Sequence, residues 1–328
     1  MALALRIDSW ASEYQGAVQL LEDDGGAASP SGLRLDIELN EAEWRPITAL
    51  PAPAPPPLVF IDGVRRVEVG VIADEDAKVA YGLFGSYAAG AVLCTPSEAR
   101  VEARQVARRL VLGGGGLHPP VHVGAGSTTL EFRGHAALEN SPRATLQELQ
   151  NLMRTLEAEI GRSYADEQAL VFLDGPLTFL LPVDEPILGY VKTLHRTYLP
   201  ERLMPVLYDL LAGQRTPVFG FGEGSATRYS WFLRLAAPGP LHHRLTGVVR
   251  VEVSTSVGER KAVQLANISA SLLPRFASHP AWDPRAPQNL FPISALEADL
   301  HHSLGNHLWV RRAIETHLVR MIREGGGP

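Results

Sequence analysis

A mixed α/β core is the fold this sequence predicts, and three observations predict it. Two apolar runs, Leu58-Val59-Phe60-Ile61 and Val171-Phe172-Leu173, each lead straight into an aspartate and a glycine, at Asp62-Gly63 and Asp174-Gly175. Runs that are apolar at every position suit strands buried on both faces of a sheet. A strong helical pattern over 143–163 ends shortly before the second run. The overall order is strands, then helix, strand, helix, strands and helices, which is not a regular βαβ alternation.

Taken in order, residues 1–22 predict a helix, because Ile7, Trp10, Tyr14, Val18 and Leu21 recur at spacings of three and four. A Gly/Ser/Pro-rich loop follows over 23–32, then a half-buried strand over 33–39. Five prolines in 51–57 make a stiff, extended linker. The first acidic strand ends at Asp62, and 65–93 reads as a hairpin turning at Asp74-Glu75-Asp76. The stretch 98–112 predicts a helix, with Pro96 and Ser97 as start signals. Four glycines at 113–116 read as a flexible connector. They lack the Lys-Ser/Thr of a phosphate-binding P-loop and the G-x-G-x-x-G spacing.

Ser141 and Pro142 cap the helix over 143–163, whose apolar stripe is Leu146, Leu149, Met153, Leu156 and Ile160. Glu157 lies at the edge of that stripe, and Glu159 points about 200° away from it. After the second acidic strand comes 188–198, where Lys192, His195 and Arg196 mix with Tyr190 and Tyr198. Such a cluster suits a backbone-contacting surface, although alone it is more often a surface helix. The remaining elements are a helix over 201–212, strands over 216–221, 228–235 and 247–254, and helices over 261–273, 293–304 and 308–323. His301, His302 and His307 read as surface residues, and 325–327 as a frayed tail.

The 328 residues allow two domains or one elaborated α/β domain. The proline stretch divides the chain into 1–57 (helix, strand and linker) and 58–328. A net charge of −6 argues against a wholly basic nucleic-acid coat but leaves room for a local basic groove. The single cysteine, Cys94, rules out an intrachain disulfide and a multi-cysteine zinc site. No apolar run reaches the ~20 residues of a membrane span. The first residues lack the basic region of a signal peptide. The expectation is a soluble cytoplasmic protein.

Chemistry concentrates in Asp62, Glu157 and Asp174, three carboxylates from three separate elements. An Asp-Gly pair after a strand also makes an ordinary turn. Its occurrence after two matched apolar runs points to a shared site. Gathered together, the three acids can hold Mg2+ or Mn2+ and prepare a water to attack a phosphodiester. Lys192 can then neutralise the developing charge, and Tyr190 can orient a water or stack on a base. No Gly-x-Ser-x-Gly and no His-Glu-x-x-His occurs, which leaves serine hydrolase and zinc protease chemistry without support.

From the first acidic strand to about Asn306, the chain resembles the NurA nucleases, partners of HerA-type hexameric ATPases in DNA end processing. The resemblance lies in Phe60-Ile61-Asp62-Gly63, Met153-Arg154-Thr155-Leu156-Glu157, Leu173-Asp174-Gly175-Pro176-Leu177 and Gly189-Tyr190-Val191-Lys192. It continues through Arg215-Thr216-Pro217, Tyr229-Ser230-Trp231-Phe232-Leu233-Arg234, Phe276-Ala277-Ser278 and the run from Asp283 to Ile293. The order of these pieces, the last above all, resembles a bacterial branch of that family.

The resemblance implies an RNase H-like core with a mixed sheet flanked by helices, N-terminal and C-terminal helical elaborations, and DNA cleavage. It assigns the metal to Asp62, Glu157 and Asp174, with Mn2+ as the ion and Mg2+ as the alternative. A supporting catalytic role falls to Tyr190 and Lys192. It further implies a homodimer docked on a HerA-like hexamer, with no membrane association. Archaeal members use a C-terminal histidine that this sequence lacks, so His279, Asp283 and Glu297 are the candidates for a fourth ligand. The competing expectation is an RNase H-like module that has lost catalysis and only holds DNA or regulates an ATPase.

Overall fold

The structure is a computed structural model that describes residues 4–7, 32–49, 56–75, 78–165, 169–179, 186–194, 197–224, 227–239 and 242–324. In chain order the strands are β1 (Ala4–Ile7), β2 (Ile47–Thr48), β3 (Leu58–Glu75), β4 (Lys78–Cys94), β5 (Ala99–Leu112), β6 (Val121–Ala125) and β7 (Thr128–Ala136). They continue with β8 (Leu170–Asp174), β9 (Ile187–Val191), β10 (Gln214–Arg215), β11 (Phe219–Phe221), β12 (Arg228–Arg234) and β13 (Val248–Ser254). The α-helices are α1 (Pro142–Tyr164), α2 (Met204–Tyr208), α3 (Glu259–Leu272), α4 (Phe291–Ser303) and α5 (His307–Glu324).

Among the described residues one large mixed sheet runs β2-β10-β12-β13-β9-β8-β3-β4-β5-β7-β6, with β1 beside β3 and β11 beside β12. At its centre β3, β4 and β5 form an antiparallel meander, and β8 and β9 run parallel to β3. The apolar parity of β3 explains how the layers stack. Phe60 and Val64 join the core under α3 and α4, while Val59 and Ile61 join the one under α1. A separate cluster beyond the bulge of β3 is sealed by Val310, Ile314 and Leu318 of α5. Helix α1 starts as its sequence predicts: the Ser141 side chain accepts from Ala144 N–H, and Pro142 occupies the first turn.

Several expectations change. The first acidic strand does not stop at Asp62, because β4 pairs with β3 as far as Glu75. What stops there is β8, whose pairing ends at Ile61↔Leu173. The hairpin of β3 and β4 is present, but Asp74 and Glu75, expected in its turn, are paired with Val79 and Lys78; the residues between lie outside the described ones.

The helix expected over 98–112 is the strand β5. Its Ala, Arg, Glu and Gln favour helix by less than about 1 kcal/mol each, a local bias that backbone pairing with β4 from Cys94↔Ala99 to Gly82↔Leu112 outweighs. The helix expected over 1–22 is overturned at Ala4–Ile7, which pairs with Val71–Asp74 on the free edge of β3; the rest of that expectation lies outside the described residues. Residues 33–39 make only the bridge Arg34↔Gly220, and the Glu38 carboxylate there receives Arg215. Residues 188–191, read from the sequence as more often a surface helix, belong to the strand β9, and Lys192 follows its end. The helix over 201–212 is shorter, a 3-10 turn followed by α2. The expectations for 51–55, for His195 and Arg196, and for the tail at 325–328 lie outside the described residues.

Candidate active site

One edge of β3 carries the site. β8 covers that edge up to Ile61 and β1 covers it again from Val71. Among the described residues, 62–70 have no strand partner on that side. A cleft of about 1010 Å3 opens there, floored by Asp62, Gly63 and Val64 and reached by Arg65, Arg66 and Met153.

Strand alternation turns Asp62, Asp174, Tyr190 and Lys192 to the face of Phe60, Phe172 and Leu188. Glu157 comes from α1 on the opposite face and reaches the rim over Gly63. A Cβ on Gly63 would stand 2.5 Å from Glu157 Oε1 and 2.9 Å from Met153 Cγ. The glycine of the first Asp-Gly pair is therefore a window for the helix carboxylate, with its backbone inside a strand.

Cations hold the cluster together. Lys192 Nζ lies 2.7 Å from Asp174 Oδ2 and donates to Asn289 Oδ1 at 3.1 Å. Arg154 Nη1 donates to Glu157 Oε2 at 2.9 Å and to the Asp174 carbonyl. Gly63 N–H donates to Asp62 Oδ1 at 2.8 Å. Two carboxylate oxygens, Glu157 Oε1 and Asp174 Oδ1, are buried without any hydrogen-bond partner. Leaving a buried acceptor unmet costs about 1–3 kcal/mol, more when it is charged.

Electrostatics follow from that burial. Burial pushes the Asp62 carboxyl well above the usual range, and the neighbouring charges of Asp174 and Glu157 push it further, against the pull of Lys192. Burial also raises Glu157, partly offset by Arg154. Although burial opposes its charge, the carboxylates of Asp174 and Asp62 hold the Lys192 ammonium above its ordinary value.

The sequence-predicted residues therefore meet at one rim, with different duties. Tyr190 is wholly buried, and its hydroxyl donates to the Gln288 carbonyl. It fixes the 277–290 loop from below and has no face free for a base. Of the candidates for a fourth ligand, Glu297 lines the cleft and is held by Arg285 Nη2 at 2.7 Å. Asp283 is spent inside its loop, accepting from Ser294 Oγ, Asn289 Nδ2 and Arg285 N–H. His279 Nδ1 accepts from Ala281 N–H. His301 and His302 are exposed as expected, with His301 at the cleft wall; His307 is half-buried near Glu68.

Sequence reasoning gave no functional role to Arg154 or Gly63, and it read Asn289, with Arg285 and Gln288, as either a DNA-backbone contact or part of a buried loop; Asn289 is buried, between Lys192 and Asp283. Arg154 alone carried a usable signal, its i,i+3 spacing to Glu157 on one helix face.

The donor chemistry suits a hard divalent cation: three carboxylates, two of them with unmet buried oxygens, and no cysteine among the cleft residues. Among the described residues, no three His, Cys, Asp or Glu side chains stand as a ready-made metal cage. Lys192 and Arg154 supply the compensating charge. No helix among the described residues is long and apolar enough to cross a membrane.

No protein-family profile and no curated protein matches the chain. Among solved structures, the NurA nuclease from Sulfolobus solfataricus aligns over 96% of this chain and 96% of its own, at 10% identity and a TM-score of 0.49. A structure of NurA with manganese aligns over 40% of this chain and 23% of its own, at 16% identity and a TM-score of 0.19. Likenesses this distant bear no weight, so the side chains of this chain carry the functional reading.

Proposed function

We propose that this chain is a divalent-metal-dependent deoxyribonuclease that hydrolyses phosphodiester bonds in the cleft along the open edge of β3. The observation that carries the reading is the pair of buried, unpartnered carboxylate oxygens on Glu157 and Asp174, gathered at one rim with Asp62. Three acids forced together out of water oppose folding unless positive charge joins them. The central order β5-β4-β3-β8-β9, with the last two parallel to β3, supports an RNase H-like core.

Asp62, Glu157 and Asp174 would hold Mn2+, or Mg2+ in its place. When bound, such an ion polarises a phosphate oxygen and lowers the pKa of a water. Lys192 brings positive charge to the rim where phosphate charge develops. Arg154 keeps Glu157 turned over Gly63. Tyr190 and Asn289 fix the loop and the lysine. The sequence motifs extend the proposal to a cytoplasmic homodimer working with a HerA-type hexameric ATPase in DNA end resection, with 58–328 as the nuclease body.

The test is cleavage of single- and double-stranded DNA with Mn2+ or EDTA, comparing the wild type with Asp62→Ala and Asp174→Ala. Losing only the hydrogen-bond partner behind a metal ligand costs about 10–100-fold, so each ligand variant should lose more than about 100-fold. Activity in EDTA, or variants as active as the wild type, would overturn the reading. One observation favours the rival, a module that only binds: Lys192 and Arg154 already neutralise two of the three acids. That rival requires tight DNA binding by the wild type and no cleavage under any metal.

A further inference from the structure

The loop 277–290 ends in a feature that the metal chemistry does not use. Trp282 is 75% exposed, and Phe291 beside it is 41% exposed. Their ring centroids lie 5.6 Å apart at 59°, and the His279 ring lies 5.9 Å from the indole on a tilt of 57°. An indole left this open contributes little to a core.

Its backbone, by contrast, is tightly held. Ala277 bridges Leu290 at the base of the loop. Trp282 N–H and Asp283 N–H both donate to the His279 carbonyl, and the Asp283 carboxylate is locked by Ser294, Asn289 and the Arg285 amide. The same loop is bolted to the candidate site through Tyr190 to Gln288 and Lys192 to Asn289. It also supplies Pro284, Arg285 and Gln288 to the cleft wall. The indole thus stands two residues from a cleft-lining residue, on a support with little freedom to move.

The nuclease reading names the occupant as a polyanion, and Arg65, Arg66, Arg154, Lys192 and Arg285 bring basic side chains to the cleft where it would lie, four of them steadied there by Glu68, Glu157, Asp174 and Glu297. A polyanion that also carries flat apolar faces is a single-stranded nucleic acid, whose bases stack on exposed aromatic side chains whatever their sequence.

We propose that Trp282, backed by Phe291, is a stacking platform for a base of single-stranded DNA adjacent to the scissile linkage. It is a positioning residue: it sets which nucleotide register reaches Asp62 and Asp174. The proposal rests on the nuclease reading for its substrate class.

Fluorescence anisotropy in EDTA tests it, with a labelled oligothymidylate and an abasic oligomer of the same length. Base–aromatic stacking sets the scale, so Trp282→Ala should bind the base-bearing strand about 5- to 150-fold more weakly. Trp282→Phe should stay within about threefold of the wild type, because a ring face remains. On the abasic strand all three should bind alike, since stacking needs a base. Trp282→Leu, which keeps apolar bulk without a ring, should behave like Trp282→Ala and covers the case in which the alanine variant folds poorly. Wild-type affinity in Trp282→Leu for the base-bearing strand, or an equal loss on the abasic strand, would overturn the platform. A wild type that binds neither oligomer overturns this proposal and the nuclease reading together. Binding without Mn2+-dependent cleavage defeats the nuclease reading and leaves the platform standing.

Discussion

Glu252 in β13 and Asp62 in β3 are carboxylates buried in the same sheet, at 0% and 5% exposure. Glu252 has every oxygen met: Oε1 accepts from Arg228 Nη1 at 2.9 Å and from Leu177 N–H at 2.8 Å, and Oε2 from Arg250 Nη1. Despite complete burial, those partners hold its pKa below the ordinary value. Around Asp62 the balance reverses. Burial and neighbouring acids raise its pKa, and two oxygens of its companions stay unmet.

Each region also seats a glutamate over a glycine. Glu252 lies over Gly189, where a Cβ would stand 2.9 Å from its Cγ, as Glu157 lies over Gly63. Similar local geometry thus serves two ends. A buried acid whose partners are all inside the chain is structural. One whose partners are missing is set up to take them from a ligand.

The sharpest break of this comparison is Glu252→Gln. It leaves buried Arg250 and Arg228 without their counter-charge and should cost about 3–5 kcal/mol, read as a lower urea midpoint. A stability close to wild type would erase the distinction. Asp283 belongs with Glu252. Although burial opposes it, hydrogen bonds from Ser294, the Arg285 amide and Asn289 lower it from 3.8 to about 2. Its contribution is complete above the unfolded value and is lost as pH falls from about 4 through about 2. It amounts to about 2 kcal/mol. Asp283→Asn should therefore flatten that part of the stability–pH curve and change little of its slope above pH 5.

Gly63→Ala separates the two regions further. The new Cβ displaces the Glu157 carboxylate tip, so stability should fall by about 1–2 kcal/mol. Mn2+-dependent cleavage should fall more than about tenfold, whereas a purely structural Glu157 would show the stability loss alone. The smallest effect has the opposite sign. Asp62→Asn removes a charge that folding buries at a cost, and should raise stability by up to about 1 kcal/mol while abolishing cleavage. A clear loss of stability would place Asp62 beside Glu252 instead.

Much of this arrangement was legible without coordinates. Both acidic strands show in their apolar runs, and α1 in its stripe and its Ser141-Pro142 start. The 157/159 choice follows helix phase, with Glu157 buried and Glu159 exposed. The failures share one cause. Residues 98–112 carry helix-forming side chains and become β5 because β4 offers an edge. Ala4–Ile7 becomes a strand because β3 outruns β8. Arg154 was not assigned although its spacing to Glu157 marks one partner, and nothing near Arg154 or Asn289 in the chain marks the Asp174 carbonyl or the Lys192 ammonium that they meet.

Local periodicity by itself determined which face of its strand or helix each of Asp62, Glu157 and Asp174 takes, because side-chain direction repeats every 2 residues in one and every 3.6 in the other. Only the tertiary structure decided which of the buried acids are met and which are left wanting. Local partners such as Arg154 and Arg250 lie two or three residues from their acids, but the Leu177, Gln288 and Asn289 contacts cross 75 to 98 residues, and no single stretch of chain carries a record of those.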